Sequence, residues 1–511
     1  MTVMQTIDEQ LSAVLSEKEL YTAYTGRWKY LLQSYLGGQD WLEGANLTQY
    51  QNETQTDYVL RLNATGYDNH VQSVIKVWNS FLFRENPDRD LGSLENLPQT
   101  LDFVKDADLD GRSFNQVMKD VSIWASVFGH CHVIMVKPNV GAETLADELA
   151  MNVRPYVNIL TPLSVIDWEF QRQPNGKQEL IYFKYIEDFN DSQRTIREWT
   201  RETISTYTVN IDRREMVGEP RIEINGLGKI PVVTVYNSKS PVRGIGVSAI
   251  TDIADLNRMI YNINSEMEQS IRVDGHPSLV KTPETQAGIG AGSIIHMPDN
   301  IDPGLKPYLL EYNGAELRSM LDVKRNLVEA IDKIANTGGI RQTETRSMSG
   351  IALETEFQLL NARLAEMGDN LELAEEQIWT LFAEYLGMTY DGHTTYPDNF
   401  NIRDSEQSMQ NLAVAKGAAT DPGVYKVIDY QILELLDVEE PAKFLTNEDG
   451  LPAAYVPAST PGVPAGENCA NCSYYDPITQ GCSKWDETVN PVYWCRAWEG
   501  RIEEQLEEMD D

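Results

Sequence analysis

The sequence is poor in three things: positive charge, long apolar runs, and cysteine outside one short stretch. Lysine and arginine total 42 against 78 aspartates and glutamates, so the 511-residue chain carries a formal charge of −36. Such a chain repels phosphates, which excludes nucleic-acid binding over a broad surface. The protein could still border nucleic acid that must not adhere to it. No apolar run reaches the roughly 18 residues of a membrane helix, so no membrane contact is expected.

The usual signatures of catalysis are missing as well. There is no GxxxxGK[ST] for a nucleotide, no GxSxG for acyl transfer and no HExxH for zinc-dependent hydrolysis. His130 and His132 could share a metal on one face of a strand, but we expect them to be structural. The glycine-rich stretch Gly288–Ser293 lies between helical segments rather than after a strand, which indicates a plain loop. We therefore expect no enzymatic activity from the body of the chain.

Apolar periodicity divides the chain into helical and β-rich parts. The first 130 residues show mainly helical spacing, and residues 155–236 show short β-branched runs between turns, which predict an antiparallel sheet. Helical spacing returns from residue 247, is interrupted by an irregular excursion over 273–314, and resumes over 315–335. The fold class is therefore predicted to be α+β, and the length predicts more than one domain.

The longest regular pattern follows the polar, glycine-bounded stretch "NTGGIRQTETRSMSG", residues 336–350. Apolar residues then recur at alternating steps of three and four, which predicts one very long helix with a continuous apolar seam. This seam packs either in the chain's own core or partly across a subunit boundary. It consists of Phe357, Leu360, Leu364, Met367, Leu371, Ala374, Ile378 and Leu381.

In their order, these segments resemble the portal protein of tailed bacteriophages over about residues 20–445. The resemblance rests on "DYVLRLNATGYDN" (Asp57–Asn69), on "WASVFGHCHVIMV" and on "NILTPLSVIDWEF". It continues with "IPVVTVYN" leading into "SAITDIADLNRMIYNINSEME", and with "RSMSGIALETEFQLLNARLAEM" after the polar stretch.

The resemblance implies a portal-like division of the subunit, and the remaining sequence adds three C-terminal parts. A proline-rich stretch is expected to be a semi-rigid linker to a small cysteine module, and an acidic tail closes the chain. The predicted parts are a wing (1–246), a first stem helix (247–272), a clip (273–314), a second stem helix (315–335), a tunnel loop (336–350), a long wing helix (351–399), a helical crown (400–447), the linker (448–468), the four-cysteine metal module (469–500) and the tail (501–511).

The resemblance also implies a function without catalysis. The chain would form a homo-oligomeric ring, typically a dodecamer, at one vertex of a viral capsid, and would be assembled in the host cytoplasm. Double-stranded DNA would pass through the ring during packaging and ejection, and the partners would be the major capsid protein, the terminase large subunit and a tail adaptor protein. In the tunnel loop, Arg341, Thr343, Thr345 and Arg346 would face the DNA without reading its sequence. The alternative is an ordinary solvated loop whose arginines pair with nearby acids such as Glu344.

The last feature is the cysteine cluster, which holds four of the chain's five cysteines in the pattern C-x2-C-x9-C-x12-C. In a reducing cytoplasm disulfides are the weakest explanation, and four thiolates satisfy either a [4Fe–4S] cluster or a zinc ion. The stretch resembles high-potential iron–sulfur proteins, although its gap of nine is short, and we favour the cluster over zinc. The proposed ligands are Cys469, Cys472, Cys482 and Cys495, and six aromatics, Tyr474, Tyr475, Trp485, Tyr493, Trp494 and Trp498, are expected to crowd them.

The four cysteines leave a second function open, which is that of a metal or iron–sulfur redox enzyme or an electron-transfer protein. That function needs a flavin, nicotinamide or radical site in the body of the chain, and none is visible. We therefore expect the module to be an appended segment whose fold a metal centre stabilises, because some 35 residues bury too little core to fold alone.

Overall fold

A computed structural model describes most of the chain, which divides into two compact units, residues 1–401 and 402–511. No helix in the described part combines the length and the apolar character needed to span a bilayer. The described residues are 7–138, 151, 153–189, 192–275, 278–283, 296–297, 299–300, 302–310, 315–341, 350–398, 400, 405–418, 422–435, 455–459, 463–464, 466–484, 487–495 and 498–500.

The front of the first unit is helical, as its periodicity predicts. At the start of the helix Phe114–Phe128, the Ser113 hydroxyl accepts from the backbone N–H of Gln116, whose side chain accepts in return from the Ser113 N–H. The same helix ends at Gly129, whose left-handed φ of 89° favours glycine. The helices are α1 (Ile7–Leu15), α2 (Glu19–Leu36), α3 (Gly38–Glu43), α4 (Gln55–Ala64), α5 (His70–Leu82), α6 (Pro98–Lys105) and α7 (Phe114–Phe128).

The β-rich part forms two antiparallel sheets rather than one. In a three-stranded sheet, β2 (His130–Val136) lies between β10 (Val232–Tyr236) and β3 (Tyr156–Leu160). The last strand of the region thus returns to pair with the strand that follows α7. The larger sheet has the order β4-β5-β6-β7-β8, and β9 also pairs with β7. A short β1 (Asp88–Asp90) belongs to neither of them. The strands are β2 (His130–Val136), β3 (Tyr156–Leu160), β4 (Val165–Arg172), β5 (Gln178–Phe189), β6 (Gln193–Thr200), β7 (Thr203–Asn210), β8 (Glu215–Met216), β9 (Arg221–Ile224) and β10 (Val232–Tyr236).

Two long helices pack against each other after the sheets, and a two-stranded ribbon joins their far ends. Their near ends lie in the main core, where Ile253, Ile260 and Ile331 are fully buried. Toward the ribbon the same helices expose apolar side chains, including Ile271 and Leu321. The pair therefore projects from the core. Its elements are α8 (Thr251–Gly275), β11 (Ser278–Val280), β12 (Tyr308–Leu310) and α9 (Ala315–Ala335), and α9 has the bounds that the sequence predicted.

The predicted long helix is observed as α11 (Gly350–Tyr385), and its seam is largely buried within the chain. It packs against strands β10 and β2 and against helices α5 and α7 of the same unit. Leu364 is fully buried and Leu360 and Leu371 nearly so. Most of the seam therefore packs in the chain's own core, and contact across a subunit boundary at the half-buried Phe357 and Met367 stays a prediction. After α11 comes β13 (His393–Thr395), which pairs with β1.

A crossing of two backbones joins the helical front to the projecting pair. Gly129 and Gly246 touch so closely that a Cβ on Gly246 would lie 1.9 Å from the Gly129 carbonyl oxygen. Nearby, the Ala249 N–H donates to the Ser126 carbonyl (3.0 Å), and the Ser248 hydroxyl donates to that of Val127 (2.7 Å). The start of α8 is thus tied directly to the end of α7.

The second unit contains a helix pair and the cysteine module. Helices α12 (Ser405–Ala418) and α13 (Pro422–Leu435) pack on each other and share an ion pair between Lys416 and Asp429. In the module, β14 pairs with β18, and β15, β16 and β17 form a small antiparallel sheet. The segment predicted as a linker thus supplies a strand, because β14 completes the pairing of β18. The strands are β14 (Val456–Pro457), β15 (Tyr475–Asp476), β16 (Gly481–Cys482), β17 (Glu487–Thr488) and β18 (Tyr493–Trp494).

Candidate functional site

The polar stretch between α9 and α11 begins as ordered structure. Asn336 turns the chain with a left-handed φ of 55°, and the N–H of the buried Thr337 donates to the Asp332 carbonyl (2.9 Å). A single helical turn, α10 (Gly338–Arg341), follows. The first residues of this stretch are therefore held against the end of α9.

Arg341 is the charged centre of this turn. Its guanidinium donates to Asp332 Oδ1 at 2.5 Å and to His70 Nδ1 at 2.7 Å. The side chains of Arg341 and Asp332 are only 10% and 3% exposed. Because arginine only donates, the Nδ1 atom of His70 accepts, so this imidazole is neutral. The three residues tie α10 to the end of α9 and to the start of α5.

The electrostatics of this trio follow from burial. Burial, together with the Arg341 charge, lowers the pKa of His70. Burial also raises the pKa of Asp332, and the Arg341 charge opposes that rise. Removal of Arg341 would therefore leave a carboxylate with little access to water and no cation beside it.

The structure thus places Arg341 in an ion pair of the chain's own rather than facing outward. This is the arrangement that the sequence left open as the alternative, although the partner is Asp332 and not Glu344. The partners were missed because His70 lies 271 positions earlier in the chain and no local pattern links it to the loop. The other predicted loop residues, Thr343, Thr345 and Arg346, lie outside the described residues.

A second arginine anchors the projecting helices to the front of the unit. Arg61 is in the stretch Asp57–Asn69 that carries the family resemblance, and it binds both carboxylate oxygens of Glu53 at 2.8 and 2.7 Å. It also donates to Ser265 of α8 (3.0 Å) and stacks on Tyr50, with 3.9 Å from guanidinium carbon to ring centroid. This nearly buried arginine therefore has a structural role.

Asp68 completes the attachment of the pair. Its carboxylate accepts from Asn264 of α8 at 3.3 Å and from Lys324 of α9 at 2.7 Å. On the ribbon side of this contact, α9 exposes the apolar side chains of Leu321 and Val323 to 39% and 45%. These side chains find no full cover within the described chain, which makes the outer part of the pair a candidate contact surface.

The two histidines of the sequence pattern are core residues. The Gly246 N–H donates to His130 Nδ1 (3.2 Å), and His132 Nδ1 is 3.0 Å from the Thr234 hydroxyl. Burial lowers the pKa of His130 to about 4, and burial with the neighbouring His130 places that of His132 well below its ordinary value. Both imidazoles are therefore neutral, and the structural role expected for them fits their surroundings.

The four cysteines of the module meet at one small cavity of about 10 Å³. Cys469, Cys472 and Cys495 are buried, and Cys482 is half-buried. All five cysteines of the chain lie in its described part, and none is joined in a disulfide. Within the described residues, no three His, Cys, Asp or Glu side chains have an arrangement that holds a single metal ion.

The aromatic side chains are divided around this cavity. Of the six that the sequence singled out, Tyr474, Tyr475 and Trp498 line the cavity, whereas Tyr493 and Trp494 do not, and Trp485 lies outside the described residues. Sequence reasoning missed Tyr455, which lines the cavity from the predicted linker. The hydroxyl of Tyr455 accepts from the backbone N–H of Asn490. Its contact depends on the pairing of β14 with β18, which no local pattern announces.

Comparison with protein families matches the chain to the model described as "Phage portal protein, SPP1 Gp6-like", over residues 23–413. A search of curated proteins finds no match.

The chain is also similar to solved structures of gene transfer agent (GTA) particles. To a chain in the neck of an empty GTA particle the TM-score is 0.41 at 10% identity, over 77% of this chain and 98% of that one. To a chain in the virion of a native particle the TM-score is 0.39 at 11% identity, over 83% and 99%. To a chain in the neck of a native particle it is 0.39 at 11% identity, over 78% and 98%.

Proposed function

The chain belongs to the SPP1 Gp6-like family of phage portal proteins, and we propose that it forms a closed ring, of twelve copies, at the unique vertex of a capsid. The match over residues 23–413 supports this, because it covers the helical front, both sheets, the projecting pair and α11. The family is structural, so the chain is a portal protein and not an enzyme. The redox enzyme left open by the sequence is not favoured.

The subunit contacts in this ring are proposed to use the projecting pair. Its inner part is anchored by Arg61 and Asp68, whereas Leu321, Val323 and Ile271 are exposed on its outer part. A neighbouring copy would cover these side chains. In the portal-like division, α8 and α9 are then the stem helices, although α8 begins and ends a few residues later than the predicted 247–272. The chain between them is the clip, predicted over 273–314, which would meet the terminase large subunit and later the tail adaptor.

Double-stranded DNA is the proposed cargo of the channel. A formal charge of −36 per copy keeps the duplex off the wall, because phosphates and carboxylates repel each other. The tunnel loop 336–350 is proposed to approach the DNA through Thr343, Thr345 and Arg346. Arg341 instead holds the base of the loop, because its charge is paired within the chain.

The remaining parts keep their proposed roles. The front 1–246 and part of α11 form the wing, which would contact the major capsid protein, and residues 400–447 form the crown. The protein would be assembled in the host cytoplasm and then remain in the virion.

Electron microscopy of the purified chain tests the proposal. We expect large rings, and mass measurement should give twelve copies. Leu321→Asp should prevent ring formation, whereas Leu101→Asp, a matched change at another half-exposed leucine on α6, should leave rings intact. Small particles from the unaltered protein would overturn the ring, and rings from the Leu321 variant would overturn the proposed contact.

The DNA contact needs a separate experiment. Arg346→Glu is expected to lower packaging or retention of DNA while rings still form, and Arg346→Lys, which keeps the charge, should package normally. Normal packaging by the Glu variant would remove Arg346 from the proposed channel wall.

A further inference from the structure

We propose that Cys469, Cys472, Cys482 and Cys495 ligate one [4Fe–4S] cluster, which staples the C-terminal module of this protein. The inference is independent of the portal function, since the four cysteines lie beyond the stretch that matches the family. It rests on the positions to which the fold brings the four thiols, on the cavity that they line, and on the small size of the apolar cluster in the described module.

Separate backbone features deliver the thiols to one point. Cys469 and Cys472 flank a tight turn in which the Cys472 N–H donates to the Cys469 carbonyl (3.1 Å). Cys482 comes from the hairpin of β15 and β16, and Cys495 directly follows β18. Contacts far apart in sequence hold these pieces together, such as the Ala470 N–H on the Pro491 carbonyl at 3.0 Å. The convergence is thus a tertiary feature and not a consequence of the CxxC spacing alone.

The described module has little else to hold it together. Each of its strands is two residues long. Its apolar cluster has only Cys469 and Val489 as buried members, with Tyr455, Tyr475 and Cys482 packed beside them. So small a core does not offset the conformational entropy of ordering this segment, and modules of this size usually depend on a metal or on disulfides. The cysteines are therefore the centre of the module and also most of its core.

Iron also accounts for four thiols that line one cavity. A coordinating thiol is deprotonated, and the metal neutralises its charge.

The surroundings of the four thiols bear on the two centres that the sequence left open. A zinc ion needs four sulfurs about 2.3 Å from one point. Within the described residues, no three His, Cys, Asp or Glu side chains have such an arrangement around a single ion, although all four cysteines line the same cavity. A [4Fe–4S] cluster offers a separate iron to each thiolate, so it accepts ligands that stand further apart.

The aromatic lining suits the same centre. Tyr474, Tyr475, Trp498 and Tyr455 surround the thiols, and the Trp498 indole N–H donates to the Asn468 carbonyl at 2.9 Å, which fixes the ring. Such a wall keeps water from a cluster and slows its oxidative loss.

The test is metal analysis of the full-length protein, purified without oxygen. We expect brown protein with about four irons and matching sulfide per chain. Cys469→Ser should lower the iron content at least fourfold, whereas Cys131→Ala, a matched change at the buried cysteine of the first unit, should leave it unchanged. Colourless protein with about one zinc per chain would overturn the cluster. Protein without metal, whether its cysteines are thiols or disulfides, would overturn the site itself.

A second variant keeps the proposal testable if Cys469→Ser does not fold. Trp498→Phe keeps all four ligands and an aromatic wall but removes the indole hydrogen bond. It should bind the same iron without oxygen and lose the visible absorption several times faster in air. If the unaltered protein and the Trp498 variant lost their visible absorption at equal rates, Trp498 would have no shielding role. Rings should form in every case, because the module lies outside the matched stretch; loss of rings in the unaltered protein would instead count against the portal proposal.

Discussion

Arg341 offers the sharpest test of how the loop between α9 and α11 is built. Arg341→Gln removes the cation from a pair whose side chains are 10% and 3% exposed. Asp332 then keeps its charge in a site where burial already raises its pKa. Breaking a buried pair from one side costs about 3–5 kcal/mol, because the remaining charge is left without compensation. We expect a loss of that size in the free energy of unfolding of the first unit.

Three matched changes test whether the loss of stability comes from the ion pair of Arg341 and Asp332. Asp332→Asn should be similarly costly, since it leaves the guanidinium beside a neutral amide. The double variant, Asp332→Asn with Arg341→Gln, should cost less than the sum of the two, with a coupling energy of about 2–3 kcal/mol. Arg341→Lys should lower the free energy of unfolding by less than Arg341→Gln does. Lysine keeps the positive charge, but it lacks the planar fork that reaches both the carboxylate and His70.

Urea unfolding at pH 7, followed by tryptophan fluorescence, measures these changes, because Trp78 of α5 lies in the same core and its indole donates to Ala335 of α9 (3.0 Å). A change below about 1 kcal/mol for Arg341→Gln, combined with a clear loss of DNA packaging, would refute the reasoning. That result would mean that the guanidinium leaves Asp332 and faces the proposed channel, as the family resemblance implies.

Three further predictions follow from other parts of the first unit. Leu364→Asp places a charge in the fully buried seam of α11 and should cost several kcal/mol, so that little folded protein is recovered; normally assembled rings would contradict it. Gly246→Ala should be poorly tolerated, because the new Cβ would meet the Gly129 carbonyl at 1.9 Å, whereas Gly417→Ala, in open space on α12, should have no such effect on the thermal midpoint. The third concerns acid: the pKa of His130 is lowered to about 4, so the unfolded chain takes up the proton first as the pH falls below about 6.5. That histidine should therefore remove about 2 kcal/mol of stability by pH 5, and His130→Gln should flatten the loss between pH 7 and 5; an unchanged slope would contradict the assignment.

Much of the fold could be read from the sequence, because it depends on periodic burial. The bounds of α9 and the course of α11 follow from apolar spacing, since each helix must turn one stripe toward the core. The antiparallel sheet over 155–236 was likewise predicted, but its division into two sheets was not. That division depends on β10 returning to β2, a long-range pairing that strand composition does not encode.

The candidate sites were less predictable. The polar character of residues 336–350 suggested a solvated loop with no side to bury, yet Thr337 is fully buried and Arg341 nearly so. A charged side chain can be buried wherever a distant partner compensates it, and Asp332 with His70 does so here. At the cysteines the spacing indicated the ligands, while Tyr455 was missed because only the pairing of β14 with β18 brings it to the cavity.

The crossing of Gly129 and Gly246 has a mechanical consequence. The projecting pair enters the core just after Gly246, so a load on its outer end reaches α7 at this point, besides the contacts of Arg61 and Asp68. No side chain lies between the two backbones that could change its rotamer and absorb the strain. The contact therefore resists bending, and a force on the outer end of the projecting pair would pass into α7 with little displacement at this point.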